Sequence, residues 1–309
     1  MKIIFMGTTE FAVPSLKILL ENGYDVISVV TIPDKKKGRG QFLSCSEVKK
    51  FALEKNLPII QPEKLRHEDF INKVKSLSPD LIIVAAFKIL PKEIFTIPKY
   101  GAFNLHASLL PKYRGAAPIN WALINGEKKT GVTTFFLKEK VDTGNILLQK
   151  SWYIGEEDDA GTLHDKLSAL GAETVLETVN LIDAGKVHPA EQDNSLSSPA
   201  PKIFKEDCVI NWNRDAVEIN NFIRGLSPYP AAFTHLENKI VKIFKSQLTV
   251  QPKEVLPGDI IIRDKKIFVS TSDFLLDIQE LQTEGKKRMN ALDFVNGLDK
   301  SKKYSFGIK

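Results

Sequence analysis

The chain has 309 residues, enough for two domains with full cores, and its 43% hydrophobic and 26% charged residues exclude a fibrous or disordered chain. A net charge of +5 permits an anionic partner such as nucleic acid without demanding one. The two cysteines, Cys45 and Cys208, stand far apart with no CxxC spacing, which argues against a disulfide framework and a structural zinc site.

The opening MKIIFMGTTEF is too short an apolar run for a signal peptide, and no run approaches a membrane span, so the expected place is the cytoplasm. Residues 2–7 read as a buried first strand. A helix follows, with Pro14 near its first turn, Gly23 just past its end, and Leu16, Leu19 and Leu20 on its inner face. Residues 26–31 form a second apolar strand, and strand–helix–strand predicts a parallel α/β sheet. Gly7 is followed by Thr8, Thr9, Glu10 and Phe11, so the G-x-G-x-x-G fingerprint is missing, and no G-x-x-x-x-G-K-[ST] occurs. A nicotinamide or ATP site is therefore poorly supported.

Residues 34–43, DKKKGRGQFL, set Lys35, Lys36, Lys37 and Arg39 among Gly38 and Gly40. Two readings stand: a solvated surface loop, or a flexible arm for phosphates. Ser44-x-x-Glu47 then has capping-box spacing, for a helix that buries Val48, Phe51 and Ala52. The apolar run 81–86 predicts a central parallel strand, and residues 87–91 leave its carboxyl end, the edge where open α/β sheets bind ligands. The next strand, GAFNLH, ends on Asn104 and His106. Being two apart, these share one face, with Leu105 on the other. This is a site-like pairing, or else Asn104 caps a turn and His106 is an ordinary buried histidine.

Residues 131–137 and 146–153 read as strands around the turn VDTGN. Asp-Thr-Gly also occurs in aspartic proteases, but there is no second copy, and Asp142 alone reads equally as a turn residue. A helix over residues 162–184 carries Leu163, Leu167, Leu170, Val179 and Ile182 toward the sheet, with His164 at the surface. From 185 to 204 the chain holds few apolar residues and several prolines, the composition of a linker. A second domain follows. It has a helix through Ile223 closed by Gly225 and Pro228, then short β-prone runs near residues 232–234, 240–244, 259–262 and 267–269, which suggest a small barrel.

With these residues in hand, the chain resembles the methionyl-tRNA formyltransferase family over nearly its whole length. The resemblance rests on FMGTTEFAVPSL, PDKKKGRG, FNLHASLLPKYRGAAPINWA and VDTGNILLQ, and later on PAPKIFKED, INW and IRGLSPYPAAF. The NxH, SLLP and DTG elements alone mark the wider group of 10-formyltetrahydrofolate-using enzymes; the later motifs select the tRNA branch. The resemblance implies an α/β class fold: a Rossmann-like formyltransferase domain with a parallel-rich sheet over residues 1–186, a linker over 187–204, and a C-terminal OB-like β-barrel that binds tRNA over 205–309. It implies formyl transfer from 10-formyltetrahydrofolate, a co-substrate, to the free amino group of initiator methionyl-tRNA, with no metal.

The resemblance also carries roles onto positions. The catalytic trio falls on Asn104, His106 and Asp142. The folate motif falls on Ser108, Leu109, Leu110 and Pro111, with Phe87, Ile89 and Leu90 expected to line the same pocket. The tRNA arm falls on Lys35, Lys36, Lys37 and Arg39. Relatives commonly have glycine and leucine before the DTG and aspartate after it, where this chain has Lys140, Val141 and Asn145. Those departures leave the shape of the Asp142 loop open. The residue types suit the implied chemistry: an amide to stabilise an oxyanion, a histidine to donate to it or shuttle a proton, and a carboxylate to fix the histidine's tautomer. Three other readings compete: another folate-dependent enzyme, such as a formyltransferase acting on a nucleotide sugar or ribonucleotide or a formyltetrahydrofolate hydrolase; a nicotinamide oxidoreductase; and a noncatalytic tRNA-binding module.

Overall fold

A computed structural model describes residues 1–37, 42–299 and 301–307. The chain forms two compact units, both discontinuous in sequence. The first comprises Met1–Gly115, Lys129–Tyr153 and His164–Ala200; the second comprises Ala116–Lys128, Ile154–Leu163 and Pro201–Lys309.

In the first unit, strands β1 (Lys2–Gly7), β2 (Asp25–Val30), β3 (Ile59–Ile60), β4 (Leu81–Ala85), β5 (Ala102–His106), β6 (Lys129–Phe136) and β7 (Ile146–Tyr153) build one sheet. Its order is β7-β6-β5-β4-β1-β2-β3. The pairs from β5 through β3 are parallel, and β6 and β7 are added antiparallel. The strand order reverses at β1, which lies between β2 and β4, so the crevice beyond their carboxyl ends is the expected ligand edge. β4 is buried along its whole length, which is why its sequence is continuously apolar.

The helix Val13–Glu21 has a proline in its first turn and buries Leu16 and Leu19, while Leu20 is half-buried. The helix Glu47–Glu54 is capped by Ser46, whose hydroxyl accepts the Lys49 N–H at 3.1 Å. The expected cap, Ser44, instead ends the short strand Phe42–Ser44, which pairs antiparallel with Lys35–Lys37.

The two faces of the sheet are distinct. On one, Ile4, Met6, Ile82, Val84 and Ala102 cluster with Phe70 and Val74 of the helix Glu68–Leu77. On the other lies the helix Ala160–Asp183, where a Cβ on Gly171 would meet Leu105 at 2.7 Å and the Thr134 and Thr178 hydroxyls bond at 2.7 Å. Strand alternation therefore sends Asn104 and His106 to the face of Ala102 and Val84.

In the second unit, the helix Ala216–Leu226 runs through Gly225 rather than ending at it. A Cβ there would lie 2.6 Å from the Ile124 side chain, and Asn120 Nδ2 donates to the Gly225 carbonyl at 2.8 Å. The glycine thus serves close packing against the helix Pro118–Ile124. Strands β8 (Ala232–Leu236), β9 (Lys239–Pro252), β10 (Ile260–Arg263), β11 (Lys266–Ser270) and β12 (Phe274–Thr283) form an antiparallel sheet in the order β8-β9-β12-β11-β10. The tail joins its two outer strands' neighbourhoods: Leu236 bridges Phe306 and Asp259 bridges Ser305. The core holds Trp212, Ile219, Ile223, Val241, Val269, Leu276, Ile278, Phe294 and Phe306.

Candidate active site

His106 ends β5, buried, edge-on to Phe135 with ring centroids 6.4 Å apart. Its Nε2 lies 2.8 Å from the Tyr113 carbonyl. A carbonyl only accepts, so Nε2 carries the proton and donates it. Nδ1 faces Asp142 Oδ2 at 3.8 Å, with the two side chains only 6% and 11% exposed. That separation exceeds a hydrogen bond. Asn104, on the same face of β5, is half-buried, and among the described residues its amide has no hydrogen-bond partner.

Asp142 sits in a tightly determined loop. Its φ of 53° is left-handed, a conformation tolerated by aspartate but uncommon. The Gly115 N–H donates to Oδ2 at 2.9 Å, and the Thr143 hydroxyl closes the turn onto the Lys140 carbonyl at 2.8 Å. Gly144 is pressed against β6: a Cβ on it would lie 1.5 Å from the Phe136 carbonyl oxygen, so no other residue fits without backbone movement. Lys140 and Val141 are exposed, and Asn145 Oδ1 accepts from Lys138 at 2.7 Å.

The SLLP loop is held from below by two side chains that sequence reading did not single out, Thr133 and Gln149. The Thr133 hydroxyl donates to the Ser108 carbonyl at 2.6 Å and accepts from Leu110 N–H at 3.1 Å and Gln149 Nε2 at 2.9 Å. Gln149 also donates to the Leu110 carbonyl at 2.8 Å, and the Ser108 hydroxyl donates to the Lys112 carbonyl at 2.7 Å. Ser108 and Leu110 are thereby buried and committed inside the protein, while Leu109 and Pro111 stay half-exposed. Of the residues after β4, Leu90 joins the apolar cluster, Phe87 packs against it half-buried, and Ile89 is 72% exposed.

Among the basic residues, Lys35 is exposed on a short strand and the strand continues through Lys36 and Lys37; the expectation for Arg39 lies outside the described residues. Asp34, at the root of this hairpin, is bonded to Lys49 and Gln61. Lys49 Nζ donates to its Oδ2 at 2.6 Å and Gln61 Nε2 to its Oδ1 at 2.8 Å. These two bonds, Lys49 first, hold the Asp34 carboxyl below the usual carboxylate range. Gln61 also accepts from Lys49 at 2.8 Å and donates to the Ile32 carbonyl at 2.7 Å, so the root is a closed network.

Residues expected to link the two domains instead brace the site. Ser198 contacts Tyr113 and Arg114: its hydroxyl accepts the Tyr113 N–H and its carbonyl the Arg114 N–H, both at 2.9 Å. Pro199–Ala200 pairs in parallel with Arg114–Gly115. Gln192 Nε2 donates to the Asp142 carbonyl at 3.0 Å and the Gly144 carbonyl at 2.7 Å. Among the described residues there is no group of three or more His, Cys, Asp and Glu able to hold a metal ion, and no helix is long and apolar enough to cross a membrane.

The Formyl transferase family model matches residues 1–179, and the model for Formyl transferase, C-terminal domain, matches residues 202–299. The methionyl-tRNA formyltransferase of Thermodesulfovibrio yellowstonii is 52% identical over 296 residues, covering 96% of this chain and 95% of that protein. The methionyl-tRNA formyltransferase of Caldanaerobacter subterraneus subsp. tengcongensis is 48% identical over 299 residues, covering 96% of this chain and 97% of that protein. Among solved structures, WlaRD, a sugar 3N-formyl transferase in the presence of dTDP and 5-N-formyl-THF, superposes with a TM-score of 0.68 at 24% identity, over 93% of this chain and 99% of that one.

Proposed function

The chain belongs to the formyl transferase family, and from that membership we propose that it transfers a formyl group from 10-formyltetrahydrofolate to the free amino group of methionyl-tRNA. Its acceptor is the initiator species, and the product, formylmethionyl-tRNA, serves translation initiation in the cytoplasm. The observation that carries this reading is full-length similarity at 48–52% identity to methionyl-tRNA formyltransferases, combined with Asn104, His106 and Asp142 converging at one end of β5.

The residues present suit the folate. Phe87, Ile89 and Leu109 offer apolar surface, and among the described residues the Asn104 amide has no hydrogen-bond partner, residue types that suit a small-molecule pocket with a few placed polar groups. When bound, 10-formyltetrahydrofolate supplies the formyl carbon. Asn104 donates an amide N–H to the formyl oxygen, where negative charge develops as the amine attacks. His106 keeps Nε2–H on the Tyr113 carbonyl, so Nδ1 is the nitrogen that exchanges a proton. Nδ1, with Asp142 Oδ2 beside it at 3.8 Å, takes the proton that the attacking amine loses and passes it to the folate nitrogen as that nitrogen's bond to the formyl carbon breaks. Lys35, Lys36, Lys37 and Arg39 contact acceptor-end phosphates of the tRNA.

The deciding assay combines 10-formyltetrahydrofolate with methionylated initiator tRNA and scores formylmethionine. Formylation of this tRNA in preference to nucleotide sugars, ribonucleotides or water supports the reading. Turnover only with one of those competitors rejects it.

A further inference from the structure

We propose that Gln192 is a positioning residue for catalysis, holding the Asp142 loop in register with His106. The inference rests on the formyl-transfer reading of this site. Gln192 is half-buried, fifty residues on in sequence from Asp142 and in a stretch whose composition reads as a linker. Its one amide nitrogen donates to two carbonyls of the loop, those of Asp142 and Gly144, at 3.0 and 2.7 Å. Its amide oxygen accepts from Arg114 Nε at 3.2 Å and Nη2 at 2.6 Å. The orientation of the amide is thus decided by its neighbours: the guanidinium only donates and the carbonyls only accept, so a flipped amide would lose all four contacts.

Arg114 is itself fixed. Its Nη2 also donates to Asn194 Oδ1 at 2.9 Å. Its chain neighbours touch the other two members of the site: the Tyr113 carbonyl accepts from His106 Nε2, and the Gly115 N–H donates to Asp142 Oδ2. Three consecutive residues therefore hold His106, Gln192 and Asp142, and Gln192 closes the ring by holding the loop that carries Asp142. This matters because Asp142 has left-handed backbone and stands 3.8 Å from His106 Nδ1, so a small loop displacement changes the relation between carboxylate and imidazole directly.

The test uses the full-length protein with Gln192→Glu and Gln192→Met. Glutamate keeps the acceptor for Arg114 but has no N–H for the two carbonyls; methionine keeps the shape and has neither group. Either variant that folds is read. The expected result is a fall in kcat of about 10- to 100-fold, with KM for each substrate changed less than about threefold and the pH profile of kcat displaced, because the His106–Asp142 pair is altered. A folded variant with kcat within about threefold of the parent overturns the proposal. So does a loss of kcat with an unshifted profile, which assigns Gln192 to general support. His106→Ala run in parallel separates the two readings: if it too retains activity, the site assignment has failed rather than the role of Gln192.

Discussion

His106 donates from Nε2 to the carbonyl of Tyr113 at 2.8 Å. The bond fixes the ring with Nδ1 toward Asp142; on the proposed function, Nδ1 is the nitrogen that handles the proton. His106→Ala and Asp142→Ala should each lower kcat by about 10²–10⁴-fold, the range for a positioned acid–base group. Circular dichroism should show both proteins folded. Near-parental turnover in a folded His106→Ala protein would remove His106 from the mechanism.

Gly144→Ala tests whether the Asp142 loop must lie where it does. The new methyl group would fall 1.5 Å from the Phe136 carbonyl oxygen, so the backbone has to retreat. The expected outcome is a loss of about 1–3 kcal/mol in stability and a fall in kcat on the order of 10²-fold. Thermal melts and steady-state kinetics measure both; a fully active, equally stable variant contradicts the packing described.

Asn104→Ala should spare the fold, because the amide has no partner among the described residues. Loss of one oxyanion donor typically costs about 10²–10³-fold in kcat. KM for the folate should move little. A variant that raises KM tenfold at unchanged kcat would make Asn104 a binding group instead.

Lys49→Met breaks the root of the basic hairpin without touching its cations, since Lys49 bonds both Asp34 and Gln61. It should raise KM for tRNA and leave KM for folate alone, as should Arg39→Ala. Each phosphate neutralised by the arm contributes about 0.7–0.9 to the slope of log affinity against log salt, so the slope should flatten in Arg39→Ala. If neither variant alters tRNA kinetics at moderate salt, the basic run takes no part in tRNA use.

In the second unit, Asp273 Oδ1 accepts from the Ala216 N–H, the Thr271 hydroxyl and the Phe274 N–H at 2.9, 2.8 and 2.7 Å. Burial pushes its carboxyl up, but those bonds outweigh it and hold the group below the usual carboxylate range. A group lowered on folding contributes stability above its unfolded pKa, near 3.9, and loses it as pH falls through the folded value. Asp273→Ala should cost about 1–3 kcal/mol near neutral pH, and the difference from the parent should shrink as melts are run below about pH 4. A difference independent of pH would show that the carboxylate charge is not what matters.

Much of the first unit was readable from the chain alone. Continuous apolar runs marked β1, β2 and β4 because strands buried on both faces have no polar side. The period of two placed Asn104 and His106 together and Leu105 opposite, as the packing of Leu105 on Gly171 bears out. Motifs dense in Gly, Pro, Asn and His marked the loops that carry chemistry. Where neighbours compete, local chemistry does not choose between them: Ser44 and Ser46 both suit a cap, and hairpin pairing took the first. β12 was missed because Asp277, Gln279, Glu280 and Gln282 interrupt its apolar pattern, and the helix Ala291–Asn296 because six residues hold under two turns.

The support of the site belonged to the tertiary structure. Gln192 reaches Asp142 across 50 residues and Ser198 reaches Tyr113 across 85. Both lie in a segment whose composition is polar and proline-bearing, the signature of a linker. Local sequence carries hydrophobic periodicity and turn chemistry because those act between near neighbours. A polar side chain that donates to a distant backbone carbonyl leaves no period, and only the folded chain brings donor and acceptor together.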